Sequence, residues 1–206
     1  MSTENQSVCA VVVAAGSSRR MGGENKLLLP LCGKPVLAHT LTAFQMCGAV
    51  RDIVLVCREQ DMEVYRTLAA ENGITKLRTL TRGGDTRTES VLAGVSAASE
   101  ACALVAVHDG ARPLVSDEVI TQAVAEAAKT GAAAPVVPVK DSIKRIENGK
   151  IAADVPRDTL AAVQTPQVFR RDMLLHALLD AAANGRSFTD DCAAVEALGQ
   201  TVSATS

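Results

Sequence analysis

Short, continuous apolar segments recur along this chain, and each is followed by a stretch whose apolar residues have helical spacing. A strand that is apolar on both faces needs helices on both sides, as in a parallel sheet. The alternation therefore predicts an α/β fold with a Rossmann-like, doubly wound, mostly parallel sheet. The predicted strands are 8–15, 53–57, 103–107 and 132–139, and the predicted helices are 36–47, 61–72, 88–99, 117–130, 171–183 and 190–198.

The core of this fold has to be built almost without aromatic residues. Apolar residues make up 48% of the chain, whereas aromatic residues make up 2% and tryptophan is absent. Val, Leu, Ile and Ala therefore supply the core, as in many helix-covered sheets. A length of 206 residues suits one domain, so we expect a single domain over 1–206.

One segment, DSIKRIENGKIAADV, interrupts the alternation. It contains Asn148-Gly149 between two strand-like stretches, and Asn-Gly is a strong signal for a hairpin turn in which both residues have positive φ. We therefore expect a β-arm that projects from the sheet over about 140–157. Because a projecting hairpin has unpaired strand edges, the arm is either covered by a partner subunit or is a solvated surface hairpin.

The segment AAGSSRRMGGENK, which follows the first predicted strand, combines small residues with basic ones. Ligands of parallel sheets lie beyond the carboxyl ends of the strands. Gly16 allows backbone N–H groups to approach an anion, and Arg19, Arg20 and Lys26 add positive charge. The segment matches neither G-x-x-x-x-G-K-[ST] nor G-x-G-x-x-G. It predicts a phosphate-binding loop of another kind, and the alternative is a Gly/Ser turn with solvated bases.

The segment VHDGARP places Asp109 just after the apolar run ALVAV, with only His108 between them, at the carboxyl end of a predicted strand. Mg²⁺ commonly takes one or two carboxylates and completes its coordination with phosphates and waters. Asp109 is therefore a candidate metal ligand, and the alternative is a residue that caps a turn. We interpret His108 as a packing or hydrogen-bonding residue.

The segment RGGDTRTESV precedes and begins a predicted helix. Gly83-Gly84 allow another group to approach the backbone closely, and Asp85 or Thr86 can cap the helix. Backbone groups together with Ser90 could bind the edge of a nucleotide base.

Charge and cysteine usage exclude several classes of protein. Acidic residues number 23 and basic residues 21, a balance that argues against nucleic acid as a partner. No apolar run is long enough to span a membrane, and MSTENQSV has no signal-peptide pattern, so we expect a cytoplasmic protein. The six cysteines include no C-x-x-C pair, which favours reduced, buried thiols over disulfides or a zinc site.

Taken together, the segments AAGSSRRMGGENK, GGDTRTESVLAG, VHDGARP, PVKDSIKR, VQTPQVF and FTDDCAAVE resemble the 2-C-methyl-D-erythritol 4-phosphate cytidylyltransferase family, in order and over nearly the whole chain. The resemblance implies an enzyme of isoprenoid biosynthesis that transfers CMP from CTP to a sugar-alcohol phosphate and releases pyrophosphate. It also implies Mg²⁺ as the cofactor and a homodimer formed through the β-arm.

The resemblance implies a role for each matching residue. The residues implied to bind CTP are Ala14, Ala15, Gly16, Lys26, Gly84, Asp85, Ser90 and Asp109. The residues implied to bind the acceptor are Asp109, Arg112, Asp141, Ser142, Arg157, Thr165 and Thr189. Arg20, Lys26 and Arg157 are implied to be catalytic, Asp109 to bind the metal, and Asp141 and Ser142 to lie near the neighbouring subunit's active site. Without the resemblance, Thr189 would be interpreted as a helix cap and Arg157 as a surface ion-pair residue.

The chain departs from the family pattern in two places. One residue fewer separates Arg20 from Lys26, and after GQTVSATS we expect the further strand and helix of the family, with their lysine-bearing segment, to be absent. Other hypotheses are a ribitol 5-phosphate cytidylyltransferase, a non-catalytic nucleotide-binding module and an NAD-dependent dehydrogenase. The missing G-x-G-x-x-G argues against the dehydrogenase.

Overall fold

We describe residues 7–16 and 25–206 in a computed structural model of the chain. The strands are β1 (Val8–Val13), β2 (Pro30–Leu31), β3 (Lys34–Pro35), β4 (Val50–Cys57), β5 (Leu77–Arg82), β6 (Leu104–Asp109), β7 (Ala132–Pro138), β8 (Ile143–Glu147), β9 (Lys150–Val155), β10 (Ala161–Val163), β11 (Gln167–Arg170) and β12 (Ser203–Thr205). The helices are α1 (Val36–Met46), α2 (Met62–Glu71), α3 (Arg87–Ala97), α4 (Asp117–Thr130), α5 (Arg171–Ala183) and α6 (Asp191–Glu196).

The main sheet is mostly parallel, which confirms the predicted fold class. Its order is β7-β11-β6-β1-β4-β5, and β10 and β12 also pair with β7. β1 is parallel to β4 and β6, and β4 is parallel to β5. β11 is antiparallel to both of its neighbours, β6 and β7. An antiparallel strand needs no crossover helix, and β11 follows the β-arm and β10 without one.

Helices cover both faces of the sheet, as the doubly wound architecture requires. Val11 of β1 packs on one face with Val91 of α3 and Leu178 of α5. The next residue, Val12, packs on the other face with Leu41 of α1, because successive strand residues point to opposite faces. Among the described residues, no helix is long and apolar enough to cross a bilayer.

The carboxyl ends of the parallel strands meet at one edge of the sheet. The register places Val13, the last residue of β1, opposite Asp109 of β6 and Val56 of β4. The chain leaving β1 is fixed there, because the N–H of Ala14 donates to the carbonyl of Val56 at 2.7 Å. The segments that follow β1, β4, β5 and β6 are therefore gathered at the edge where parallel sheets bind ligands.

The predicted β-arm is confirmed as a hairpin of β8 and β9. The two strands pair with each other as a separate two-stranded sheet. Asn148 and Gly149 form its turn with φ values of 50° and 75°, as the Asn-Gly signal requires. Ile146 and Ile151 on the arm are 59% and 70% exposed. The hairpin thus carries apolar side chains on its surface.

Four strands of the main sheet were not predicted from the sequence, namely β5, β10, β11 and β12. β5 (LRTLTR) carries arginines and threonines instead of a continuous apolar run, and its burial is only partial. β10 and β12 have three residues each, too few for a pattern. β12 pairs in parallel with β7, so the last residues of the chain extend the sheet.

All six cysteines are free thiols, and five of them are buried. Burial raises the pKa of Cys9 to about 12 and that of Cys57 to about 11. These thiols are therefore protonated at neutral pH and poor nucleophiles or metal ligands. The burial of five cysteines confirms their interpretation as small core residues, and the exposed Cys32 is the exception.

Candidate active site

A cleft of about 1310 Å³ opens at the carboxyl edge of the parallel strands. Its walls come from the segments that follow β1, β4, β5 and β6, together with one residue of the loop before α6. Among residues 7–16 and 25–206, the charged residues of its lining are Lys26, Arg58, Glu59, Arg82, Asp85, Arg87, Asp109 and Arg112. Five of these eight side chains are basic, which suits a ligand with several negative charges.

The N-terminus of α3 borders the cleft and is fixed by a capping box. The Oγ1 of Thr86 accepts a hydrogen bond from the N–H of Glu89 at 3.1 Å. In return, Oε2 of Glu89 accepts from the N–H groups of Thr86 and Asp85 at 2.9 and 2.7 Å. Of the two cap candidates in the sequence, Thr86 is the cap. The side chain of Asp85 takes no part in the capping box, and the residue lines the cleft.

The two glycines before this helix are required by packing inside the protein. A Cβ on Gly83 would lie 2.6 Å from Cβ of Ala15 and 2.7 Å from Oγ of Ser90. A Cβ on Gly84 would lie 2.3 Å from Cβ of Glu89. The groups that approach the backbone of Gly83 and Gly84 closely therefore belong to the protein itself, namely the side chains of Ala15, Ser90 and Glu89.

Ser90 lies in the wall of the cleft and is only 3% exposed. Its hydroxyl donates to the carbonyl oxygen of Thr86 at 2.9 Å. Because a hydroxyl has one hydrogen and two lone pairs, the oxygen keeps the capacity to accept a hydrogen bond. Ser90 can therefore recognise a donor group at this end of the cleft.

Asp109 at the end of β6 lies between two arginines. Its Oδ2 is 2.9 Å from Nε of Arg112, whereas its Oδ1 is 3.7 Å from Nη2 of Arg87. Arg112 is held on its other side by a hydrogen bond from Nη1 to Oε1 of Gln164. Among the described residues, one carboxylate oxygen of Asp109 is therefore bound tightly, and the other has only a loose contact.

The residues of this cleft fit a cation that is shared with a ligand. Among residues 7–16 and 25–206, no cluster of three or more His, Cys, Asp or Glu side chains forms a complete metal site. Oδ1 of Asp109 supplies a hard oxygen ligand with only a weak competing contact. Mg²⁺ is commonly bound by one or two carboxylates with phosphate oxygens and waters, and this donor set matches that pattern.

His108 is a buried hydrogen-bonding residue, as its interpretation from the sequence proposed. Burial lowers the pKa of His108 to about 4, so the ring is neutral at neutral pH. Its Nε2 lies 3.0 Å from the carbonyl oxygen of Arg112, which can only accept, so Nε2 carries the proton. Nδ1 then accepts from the hydroxyl of Thr165 at 2.9 Å. The ring thus connects the backbone beside Asp109 to the segment that carries Thr165.

Comparison with known proteins identifies the family. The model of the IspD family, 2-C-methyl-D-erythritol 4-phosphate cytidylyltransferase, matches residues 8–205. The chain belongs to this family. It is 42% identical to the cytidylyltransferase of Dehalococcoides mccartyi strain 195, over 94% of this chain and 84% of that protein. It is 44% identical to the Bacillus licheniformis protein of the same name, over 93% and 83% of the two chains.

Solved structures of cytidylyltransferases of this family have the same fold. The 4-diphosphocytidyl-2C-methyl-D-erythritol synthase of Anaerococcus prevotii superposes with a TM-score of 0.87 at 26% identity, covering 98% of this chain and 87% of that one. The cytidylyltransferase of Thermus thermophilus gives a TM-score of 0.75 at 31% identity, covering 95% and 87%.

All eight residues that the family resemblance assigned to CTP line the cleft, and two of the assigned acceptor residues, Arg112 and Thr189, line it as well. The predicted residues found in its lining are Ala14, Ala15, Gly16, Lys26, Gly84, Asp85, Ser90, Asp109, Arg112 and Thr189. Arg20, predicted as a catalytic residue, lies outside the described residues. The structure therefore brings the residues predicted to bind CTP together at one cleft. The catalytic role of Arg20 stays a prediction.

Several predicted acceptor residues are not in the lining of the cleft. Asp141, Ser142 and Arg157 are exposed at the base of the arm, where Nη1 of Arg157 donates to the carbonyl of Lys140 at 2.7 Å. Thr165 is only 8% exposed and is hydrogen-bonded to His108, away from the cleft lining. The roles predicted for these four residues stay predictions.

Thr189 is not a helix cap. The cap of α6 is the next residue, Asp190, whose Oδ1 accepts from the N–H of Ala193 at 2.9 Å. Thr189 is exposed and lines the cleft. The interpretation of Thr189 as the cap of the last helix is therefore wrong.

The sequence analysis missed three arginines of the cleft, namely Arg58, Arg82 and Arg87. Arg58 directly follows β4, and Arg82 is the last residue of β5. Because ligands of parallel sheets lie beyond the carboxyl ends of the strands, Arg82 would have been predicted if β5 had been recognised in the sequence. Arg87 begins α3 and forms a bidentate ion pair with buried Asp191, 104 residues later. Sequence spacing gives no signal for a pair so far apart.

Proposed function

We propose that this cleft carries out the reaction of the family, the transfer of CMP from CTP to the phosphate of 2-C-methyl-D-erythritol 4-phosphate, with release of pyrophosphate. The observation that carries the proposal is the convergence of five basic side chains with Asp109 and Ser90 at the carboxyl edge of the sheet. Such a site suits a nucleoside triphosphate and a second phosphate.

The proposed reaction is an attack of one phosphate on another. An oxygen of the acceptor phosphate forms a bond to the α-phosphorus of CTP, the bond from that phosphorus to the bridging oxygen of the β-phosphate breaks, and pyrophosphate leaves with the electron pair. The attacking oxygen is already ionised at neutral pH, so no general base is required. Catalysis therefore rests on positioning and on stabilisation of the developing charge.

Lys26 is proposed to supply part of that stabilisation. It lines the cleft near the chain that leaves β1, where the phosphates of CTP would lie. A preorganised cation accelerates the reaction when it binds the transition state more strongly than the substrate. We propose that Arg20 acts with it.

Asp109 is proposed to hold Mg²⁺ through Oδ1, together with oxygens of the nucleotide. The bound cation would neutralise charge on the phosphates. Arg112, which is fixed by Asp109 and Gln164, lines the same cleft and is proposed to contact the acceptor.

The arm is proposed to complete the site across a homodimer. Asp141, Ser142 and Arg157 are exposed on the arm and are not in the lining of their own subunit's cleft. The arm also exposes Ile146 and Ile151, whose burial by a second subunit would be favourable. In this dimer, the arm of one subunit delivers its acceptor residues to the cleft of the other. A cytoplasmic location stays a prediction, and six unpaired thiols are in keeping with a reducing compartment.

Ser90 provides a test of the cytosine end of the cleft. The amino group of cytosine is a hydrogen-bond donor, whereas uracil has an acceptor at that position, and the hydroxyl oxygen of Ser90 keeps an accepting lone pair. We expect Ser90→Ala to lower kcat/KM for CTP about tenfold and to leave that for UTP nearly unchanged, as for loss of one hydrogen bond.

The measurement is pyrophosphate release with each nucleotide under kcat/KM conditions. Ser96→Ala, at an exposed position of the same helix that is not in the cleft lining, is the matched control. An equal loss for CTP and UTP would show that Ser90 supports the fold and does not select the base.

A further inference from the structure

Arg87 is held by a buried carboxylate that the proposed reaction does not use. Its Nη1 and Nη2 donate to Oδ1 and Oδ2 of Asp191, both at 2.9 Å. Asp191 is only 1% exposed, whereas the side chain of Arg87 is 28% exposed and lines the cleft. A bidentate pair of this kind fixes both the position and the plane of the guanidinium.

Asp191 is in turn fixed to the sheet. The Oε1 of Gln167 on β11 accepts from the N–H groups of Asp191 and Cys192 at 2.9 and 3.2 Å, and Gln167 is 2% exposed. The loop before α6 is attached to α3 by a bond from the N–H of Phe188 to Oγ1 of Thr88 at 3.1 Å. The carboxylate that holds Arg87 therefore has little freedom to move.

The guanidinium of Arg87 lies between two carboxylates and is bound to only one of them. Asp191 takes both terminal nitrogens, and Asp109 Oδ1 lies 3.7 Å from Nη2, beyond hydrogen-bond distance. If Asp191 lost its charge, Asp109 would be the nearest carboxylate to the guanidinium. A closer pair with Arg87 would then occupy Oδ1, the atom that is proposed above to hold Mg²⁺ together with the nucleotide.

We propose that Asp191 is a positioning residue that holds Arg87 away from Asp109 and so keeps Oδ1 of Asp109 available in the cleft. The inference rests on the proposed function, because it gives a purpose to the loose contact on Oδ1. It assigns a role to the second aspartate of FTDD that no feature of the sequence indicated.

The test is a cycle of four proteins, the wild type, Asp191→Asn, Arg87→Gln and the double variant, with binding of CTP in Mg²⁺ measured by calorimetry. We expect Asp191→Asn to weaken binding about tenfold when Arg87 is present and less than twofold when Arg87 is Gln. Activity measured on the same proteins should show the same pattern. Asp190→Asn, the same change at the neighbouring cap residue, should bind CTP as the wild type does.

Thermal unfolding of each variant establishes that binding is measured on folded protein. Equal losses from Asp191→Asn in both backgrounds, or no loss in either, would overturn the inference. If the wild type itself bound no CTP, the proposed function would fail, and this inference with it. If the wild type binds CTP and only the variants lose binding, the proposed function is unaffected and the result bears on the role of Asp191 alone.

A second measurement decides the matter if Asp191→Asn does not fold. In a crystal structure of the wild type with CTP and Mg²⁺, Arg87 should keep both bonds to Asp191, and Oδ1 of Asp109 should face the ligand. An Arg87 that has released Asp191 to bind Asp109 or the nucleotide would overturn the inference.

Discussion

Lys26→Ala is expected to lower kcat about 10²- to 10³-fold while changing the affinity for CTP far less. The reason is that negative charge builds up on the α-phosphate and the leaving pyrophosphate only as the reaction proceeds. A cation placed for that charge stabilises the transition state more than the bound substrate. The measurement is steady-state release of pyrophosphate, together with the dissociation constant of CTP determined by calorimetry.

Lys34→Ala is the matched control, since Lys34 is an exposed lysine that is not part of the cleft lining. It should retain the activity of the wild type. A Lys26→Ala protein that loses CTP binding by the same factor as it loses kcat/KM, with kcat at saturation unchanged, would contradict a role in the transition state.

Arg157→Ala is expected to lower kcat/KM for the acceptor about 10²-fold, because misplacement of a reacting group has effects of that size. The proposed dimer places this arginine in the neighbouring subunit's cleft, whereas Lys26 acts in its own. A mixed dimer of one Lys26→Ala subunit and one Arg157→Ala subunit would then contain one intact site of two. We expect it to show about half the activity of the wild-type dimer, although each parent is nearly inactive.

The mixed dimer is prepared by co-expression with two affinity tags and sequential purification. The two parent variants, purified in the same way, are the controls. A mixed dimer that stays as inactive as its parents would show that Arg157 acts within its own subunit. A purified wild type that is a monomer in solution would contradict the arm's proposed role altogether.

The fold was predictable wherever a strand was continuously apolar. β1, β4, β6 and β7 are largely buried, so their residue types identify them directly. β5 could not be found in this way, because an edge strand with one partner keeps polar residues and only partial burial. The antiparallel insertion of β11 between β6 and β7 depends on pairings across the chain that no local pattern encodes.

The site was predictable to the extent that it is built from strand ends. Asp109 and the residues around Gly16 follow predicted strands, and the structure places them at one cleft. Arg87 and Asp191 were not predictable, because their pairing depends on how α3 and α6 pack. In the proposed dimer, the acceptor side is shared between two chains, because Asp141, Ser142 and Arg157 lie on an arm whose partner is another subunit.

The most direct test of the central claim is release of pyrophosphate by the wild-type protein with CTP and Mg²⁺, in the presence of 2-C-methyl-D-erythritol 4-phosphate or ribitol 5-phosphate. The account predicts rapid release with methylerythritol phosphate and little with ribitol phosphate, together with loss of release when Mg²⁺ is chelated. Release with ribitol phosphate alone, or no release with either acceptor, would contradict it.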